Sequence, residues 1–240
     1  AQRDGLVHQN VADLADVPRG TKRVSKAMTK DQIAALLALD LKPFWRAYIV
    51  TAVTCGLRPG EMLGLRWDDV DMSEGIIRVR KCLKALPGPD GKRVLTLADL
   101  KTVRSRRTMQ LPRDAEIVLR TLRAQQARDR LRLGAAYTDA GLVFAMESGG
   151  ARWPQDVALQ FGSLCKRAGL GKGWHPHETR HTWVSVLSEG GVDIEDIADA
   201  AGHVNSTVTR TVYRHQLADK ITKASAAMDG ILNVGEVSGQ

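Results

Sequence analysis

Apolar residues along much of the chain recur at the helical spacing of three and four positions. Ile33, Leu36 and Leu37 form such a stripe behind Thr29, and Gln32 completes a capping box with Thr29. The predicted helices begin at Thr29 and then cover Phe44–Cys55, Pro59–Leu65, Asp114–Leu133, Gln155–Ala168, His177–Glu189, Ile194–Ala201, Ser206–Arg214 and Leu217–Met228. The pattern therefore predicts a mainly helical protein.

A central stretch has a period of two instead. Ile77 and Val79 alternate with Arg78 and Arg80, which is typical of a half-buried strand. Asp68–Gly75 before it is rich in turn residues. The predicted strands are Ile76–Leu83, Val94–Leu97 and Arg107–Leu111. The expected fold class is thus mainly α with a small antiparallel β-sheet (α+β).

Charge is concentrated in the same region. The chain of 240 residues has 35 Lys and Arg against 27 Asp and Glu, a formal net charge of +8. Residues 78–132 contain 16 basic and five acidic residues, a net charge of +11, so the rest of the chain sums to −3. A basic block of this kind is typical of a face that binds a polyanion, although a solvated basic surface is an alternative.

Composition excludes several classes of protein. At 43% hydrophobic and 26% charged residues, the chain is ordinary for a soluble globular protein. It has no apolar run near the roughly 18 residues of a membrane helix, and we expect no signal peptide. Cys55, Cys82 and Cys165 form no CxxC pair, which favours a reducing compartment. We therefore expect a cytoplasmic protein.

The segment His177-Glu178-Thr179-Arg180-His181 matches the HExxH signature of zinc proteases. That chemistry needs two imidazoles one helical turn apart on a continuous helix. Gly173 and Pro176 lie directly upstream and place His177 at the start of the helix instead. We therefore expect no metal at this segment.

An alternative interpretation takes His177 and Arg180 as neighbours on one helical face, three residues apart. An imidazole beside a guanidinium near a helix N-terminus is suited to binding phosphate. The pair alone is weak support, since surface pairs at this spacing are common.

Four further segments accompany this one in a fixed order. They are Thr54–Trp67, Leu100–Thr108, Ala201–His203 and then Tyr213, ten residues after His203. With His177–Thr182, they resemble the characteristic boxes of the tyrosine recombinases, the phage integrase family. Each box is a weak pattern by itself, but five in order over most of the chain are highly specific.

The resemblance implies a role for each matching residue. Arg58 and Arg180 would bind the non-bridging oxygens of one scissile phosphate. His177 and His203 would donate hydrogen bonds to that phosphoryl group, and His177 is also the candidate acceptor of the tyrosine proton. Tyr213 would attack phosphorus and form a 3′-phosphotyrosyl link.

The resemblance also implies that Lys101 protonates the departing 5′-oxygen and that Glu61 supports the arginines. Because the phosphotyrosine conserves the bond energy, neither ATP, metal nor another cofactor is needed. Further contacts to the DNA backbone are expected from Lys84, Lys92, Arg93, Arg104, Arg106 and Arg107.

The expected organisation has three parts. Residues 1–28 would be a tail and linker from a missing DNA-grasping domain, 29–216 the catalytic domain, and 217–240 an assembly helix and tail. The expected partners are double-stranded DNA, further copies of the chain in a tetramer on DNA, and accessory DNA-bending proteins. A type IB topoisomerase and a non-catalytic DNA-binding regulator are the rival functions.

Overall fold

The computed structural model describes residues 26–100 and 105–202. The helices in this part of the chain are α1 (Lys30–Leu37), α2 (Pro43–Cys55), α3 (Pro59–Leu63), α4 (Arg113–Leu133), α5 (Pro154–Arg167), α6 (His177–Glu189) and α7 (Ile194–Ala201). The strands are β1 (Val70–Asp71), β2 (Ile76–Val79), β3 (Lys81–Pro87), β4 (Arg93–Asp99) and β5 (Arg107–Gln110). Within the described ranges, no helix combines the length and apolar character needed to cross a membrane.

Most helix boundaries agree with those predicted from the sequence. Thr29 caps α1 through the predicted reciprocal hydrogen bonds with Gln32. The bounds of α6 and α7 are those predicted. Helix α3 ends at Leu63, two residues earlier than expected. The predicted helices at 206–214 and 217–228 lie outside the described residues.

The strands differ more from the sequence prediction. The predicted strand Ile76–Leu83 is divided at Arg80, whose guanidinium pairs with the buried carboxylate of Asp69. Strand β2 lies between β1 and β5 in an antiparallel sheet, with Ile77 opposite Met109. Strands β3 and β4 form a separate antiparallel hairpin. Strand β1 falls within the segment that was predicted to be a turn.

The main core forms around α2, which is buried along most of its length. Phe44 and Tyr48 contact Phe144 with ring centroids 6.0 and 5.3 Å apart. Burying each such side chain stabilises the fold by roughly 1.5–3 kcal/mol. Helix α2 therefore holds the segment that follows it in a fixed position.

A smaller apolar cluster lies beside the main core and joins α6 to α7. It consists of Trp183, Val184, Ile197 and Ala201. Met109 of β5 packs against both clusters. The C-terminal end of α7 is thereby placed next to α6 and to the segment after α2.

Candidate active site

The segment between α2 and α3 is shaped by a close contact with α6. Helix α2 ends at Gly56, which has a left-handed φ of +60°. A Cβ atom on Gly56 would lie 2.3 Å from the indole ring of Trp183, so any larger residue would force that ring to shift. This contact places the Gly56 carbonyl oxygen 2.6 Å from Nη1 of Arg180.

Arg58 stands at the N-cap of α3 and is held by Glu61, one turn later. The Glu61 carboxylate accepts the Arg58 backbone N–H at 3.0 Å and Arg58 Nη1 at 2.8 Å. Arg107 of β5 donates to the same carboxylate through both Nη atoms, at 2.9 and 3.4 Å. Burial raises the pKa of Glu61, but the hydrogen bonds and charges of Arg107 and Arg58 outweigh this effect and the pKa lies below its usual value. Glu61 is thus a buried carboxylate shared by two arginines.

Arg180 lies on α6 and is only 3% exposed. Its Nη2 donates to the carbonyl oxygen of Ala201 at 2.6 Å, at the C-terminus of α7. Arg58 Nη2 donates to the next carbonyl oxygen, that of Gly202, at 3.2 Å. Because a helix C-terminus has a partial negative charge, both guanidinium groups are favourably placed at this end of α7.

His177 is the first residue of α6 and is exposed to solvent. Desolvation on its packed side and the positive charges of Arg180 and Arg58 lower its pKa, against the opposing charge of Glu178. The lowered pKa favours the neutral imidazole, which has a nitrogen that can accept a proton.

His181 lies one turn after His177, with ring centroids 4.8 Å apart. Desolvation and the neighbouring His177 lower the pKa of His181 to about 4. Glu178 is buried, and its Oε2 accepts the backbone N–H of His175 at 2.7 Å. In the described part of the chain, no group of three or more His, Cys, Asp or Glu residues is placed to hold a metal ion.

The structure brings together five of the predicted residues: Arg58, Glu61, Arg107, His177 and Arg180. Arg58 and Arg107 share the Glu61 carboxylate, while Arg58 and Arg180 donate to neighbouring carbonyl oxygens at the end of α7 and His177 lies near both of these arginines. Such a group of cations and hydrogen-bond donors is suited to a phosphodiester. Arg58 is 35% exposed, so the group is accessible from solvent.

Four other predicted residues lie outside the described part of the chain. They are Lys101, Arg104, His203 and Tyr213. In sequence, His203 directly follows Gly202, whose carbonyl oxygen binds Arg58.

The predicted DNA-backbone residues fall into two groups. Lys92 and Arg93 are exposed at the turn of the β3–β4 hairpin, and Lys84 is half-buried on β3. Arg106 is exposed directly before β5. The Arg107 side chain, in contrast, is only 8% exposed and binds Glu61, the carboxylate that also binds Arg58.

The alternation of residues along β5 is a sequence signal for the burial of Arg107. Arg107 and Met109 alternate with the exposed Thr108 and Gln110. Since Met109 packs against the core, Arg107 shares its inward face. The carbonyl groups of Gly56, Ala201 and Gly202 carry no such signal, because backbone groups are the same at every position.

Solved structures share this fold. The Tn1549 transposon integrase in complex with transposon right end DNA superposes with a TM-score of 0.69 at 18% identity, over 94% of this chain and 74% of that one. The XerA recombinase gives a TM-score of 0.64 at 22% identity, over 86% of this chain and 66% of that one. The fold is therefore that of tyrosine recombinase catalytic domains, as the sequence predicted.

Sequence comparisons define the family. Residues 26–220 match the phage integrase family, and the chain belongs to it. An integrase of Streptomyces ambofaciens is 34% identical over 95% of this chain and 59% of its own length. A XerC-like tyrosine recombinase of Caldanaerobacter subterraneus is 28% identical over 78% of this chain and 49% of its own length. The chain thus spans about half to three fifths of these relatives.

Proposed function

We propose that this chain is the catalytic domain of a site-specific DNA recombinase that cleaves and rejoins strands through a 3′-phosphotyrosyl intermediate. The observation that carries the proposal is the convergence of Arg58 and Arg180 on neighbouring carbonyl oxygens, with His177 beside them. Membership of the phage integrase family supports it.

The two arginines would bind the non-bridging oxygens of the scissile phosphate. Charge builds up on these oxygens as phosphorus becomes pentacoordinate, and fixed guanidinium groups stabilise that charge. Arg180 is immobilised by its two backbone carbonyl partners, so it is already oriented before DNA binds. His203 would add a further hydrogen bond to the phosphoryl group.

In the cleavage step, the Tyr213 oxygen attacks phosphorus and the bond from phosphorus to the 5′-oxygen breaks. The neutral His177 would accept the tyrosine proton, and Lys101 would donate a proton to the departing 5′-oxygen. The products are a 3′-phosphotyrosyl link and a free 5′-hydroxyl. A 5′-hydroxyl from another strand reverses these transfers, so the exchange needs neither ATP nor a metal ion.

The proposed substrate is double-stranded DNA of a mobile element, in the cytoplasm. The Tn1549 integrase, whose fold this chain shares, was solved with transposon DNA. Lys84, Lys92, Arg93, Arg104 and Arg106 would contact the DNA backbone. The complete protein would act as a tetramer on DNA, with residues 217–240 in the assembly contacts, and with accessory DNA-bending proteins.

The decisive experiment traps the covalent intermediate. The substrate is a library of nicked duplexes that carry a randomised segment and a label at the 5′ end of the cleaved strand. After cleavage, the short fragment between the cleavage site and the nick dissociates, and the labelled fragment stays attached to the protein. We expect a denaturation-resistant adduct in excess EDTA, none with Tyr213→Phe, and an undiminished adduct with the control Tyr137→Phe. Sequencing the trapped strand identifies the preferred site.

The rival functions give different results in this assay. A DNA-binding regulator would bind the duplexes and form no adduct. A type IB topoisomerase would form the adduct but would not bring two duplexes together to give a synaptic product with exchanged strands. An adduct that persists in Tyr213→Phe would refute the assignment of the nucleophile, and loss of the adduct in EDTA would refute metal independence.

A further inference from the structure

Arg107 is paired with the buried carboxylate of Glu61 instead of being presented at the surface for the DNA contact that its sequence context suggests. Its side chain is 8% exposed, and the Glu61 side chain that it binds is 2% exposed. Arg107 Nη1 also donates to the carbonyl oxygen of Ser105 at 3.2 Å. Pairing of β5 with β2 places Arg107 opposite Val79, which fixes the backbone from which the side chain extends.

Glu61 transmits the position of Arg107 to Arg58. Each oxygen of the carboxylate is shared: Oε1 accepts from Arg58 Nη1 and Arg107 Nη1, and Oε2 from the Arg58 backbone N–H and Arg107 Nη2. The two-pronged contact from Arg107 prevents the carboxylate from rotating. A fixed carboxylate in turn fixes both the backbone and the guanidinium of Arg58.

The charges of Arg58, Glu61 and Arg107 also indicate that Arg107 prepares Arg58 to bind an anion. If Glu61 had Arg58 as its only cationic partner, the buried carboxylate would neutralise Arg58 and hold it away from an incoming anion. With Arg107 present, the three groups have a net charge of +1. The charge of Arg58, which is partly exposed, then remains available to a phosphate.

We propose that Arg107 is a positioning residue for DNA cleavage, which neutralises and orients Glu61 so that Arg58 can bind the scissile phosphate. This inference rests on the proposed function, in which Arg58 contacts that phosphate. Arg107 itself does not touch the DNA.

The experiment measures the single-turnover rate of adduct formation on the best duplex from the library. We expect Arg107→Gln to slow cleavage about 10- to 100-fold, as for the loss of a residue that orients a directly acting one. In an Arg58→Ala background, the same substitution should slow cleavage less than about 3-fold, since its target is already absent.

A second substitution distinguishes positioning from mere structural support. Glu61→Gln in the Arg107→Gln background removes the unneutralised carboxylate and should restore the rate by at least about 3-fold. Arg107→Lys keeps the charge but loses the two-pronged contact, so an intermediate rate is expected. It also serves as the test if Arg107→Gln does not fold.

Arg152→Gln is the matched control. Arg152 is a half-buried arginine that donates to the carbonyl oxygen of Ala145 and covers Phe44 at the other end of α2, about 18 Å from Gly56 along the helix. It should leave cleavage unchanged, and urea unfolding of each variant separates stability from rate.

Equal slowing by Arg107→Gln with and without Arg58, or no recovery with Glu61→Gln, would overturn the inference. A wild-type chain that forms no adduct would instead refute the proposed function.

Discussion

Arg58 and Arg180 come from different parts of the chain and donate hydrogen bonds to neighbouring carbonyl oxygens at the end of α7. Arg58 reaches Gly202, 144 residues away in sequence, and Arg180 reaches Ala201. These bonds connect the two arginines to Ala201 and Gly202, the two residues that precede His203 in the sequence. The same contacts therefore contribute both to the fold and to the site. Their contribution can be measured as the loss in the free energy of unfolding when one of the partners is replaced.

Arg180→Ala should destabilise the protein strongly. It leaves the carbonyl oxygens of Gly56 and Ala201 without this buried donor, so we expect a loss of about 3 kcal/mol in the free energy of unfolding by urea. Arg46→Ala is the control, because Arg46 also donates to two carbonyl oxygens, those of Leu37 and Leu39, but at the surface. It should cost less than about 1 kcal/mol. Equal losses of unfolding free energy in the two variants would show that burial does not make the Arg180 contacts more stabilising than the exposed contacts of Arg46.

Gly56→Ala should be more damaging than the same change at another left-handed glycine. Alanine in this conformation costs about 1–2 kcal/mol by itself. Gly75 has a φ of +63° and open space where a Cβ would be, whereas Gly56 has the Trp183 ring at 2.3 Å. We expect Gly56→Ala to cost at least about 2 kcal/mol more than Gly75→Ala in thermal or urea unfolding. Similar costs would mean that the ring of Trp183 moves aside freely.

His181 should make the protein less stable in acid. As the pH falls below 6.5, an ordinary histidine in the unfolded chain takes up a proton, whereas His181 in the folded protein, with its pKa of about 4, does not. Stability present above pH 6.5 is therefore lost as the pH falls, by about 2 kcal/mol between pH 7 and pH 5.

Replacing His181 by Gln should remove that part of the pH dependence. Urea unfolding at both pH values measures it, and the exposed His175→Gln is the control that should retain the wild-type slope. A His181→Gln variant with the full wild-type slope would contradict the assignment.

Lys101 should act on the leaving group of the cleavage reaction. A 5′-alkoxide leaves poorly without a proton, whereas a thiol with a pKa of about 8.5 leaves largely unaided. Lys101→Ala should therefore cleave ordinary DNA very slowly and recover when sulfur replaces the 5′-bridging oxygen. Arg58→Ala should gain much less, because it lacks stabilisation of the phosphoryl charge. Rescue of an Arg104 or Arg106 variant instead would transfer the role to that residue.

The sequence by itself determined the family and the helices of the described residues, and it supplied the candidate site residues as predictions. Capping at Thr29, the stop at Gly56 and the period of α6 are local features, in which each signal lies within a few residues of its effect. The family motifs could likewise be identified, because they are defined by the types of side chain at given positions.

Only the tertiary structure decided how these residues are held. The predicted strand is divided at Arg80, which pairs with Asp69 eleven residues earlier, and Glu61 is shared with Arg107, 46 residues away. The anchoring of Arg180 uses carbonyl oxygens of Gly56 and Ala201, which every residue possesses. Contacts of this kind follow from the packing of distant elements, and no local pattern encodes which backbone group meets which side chain.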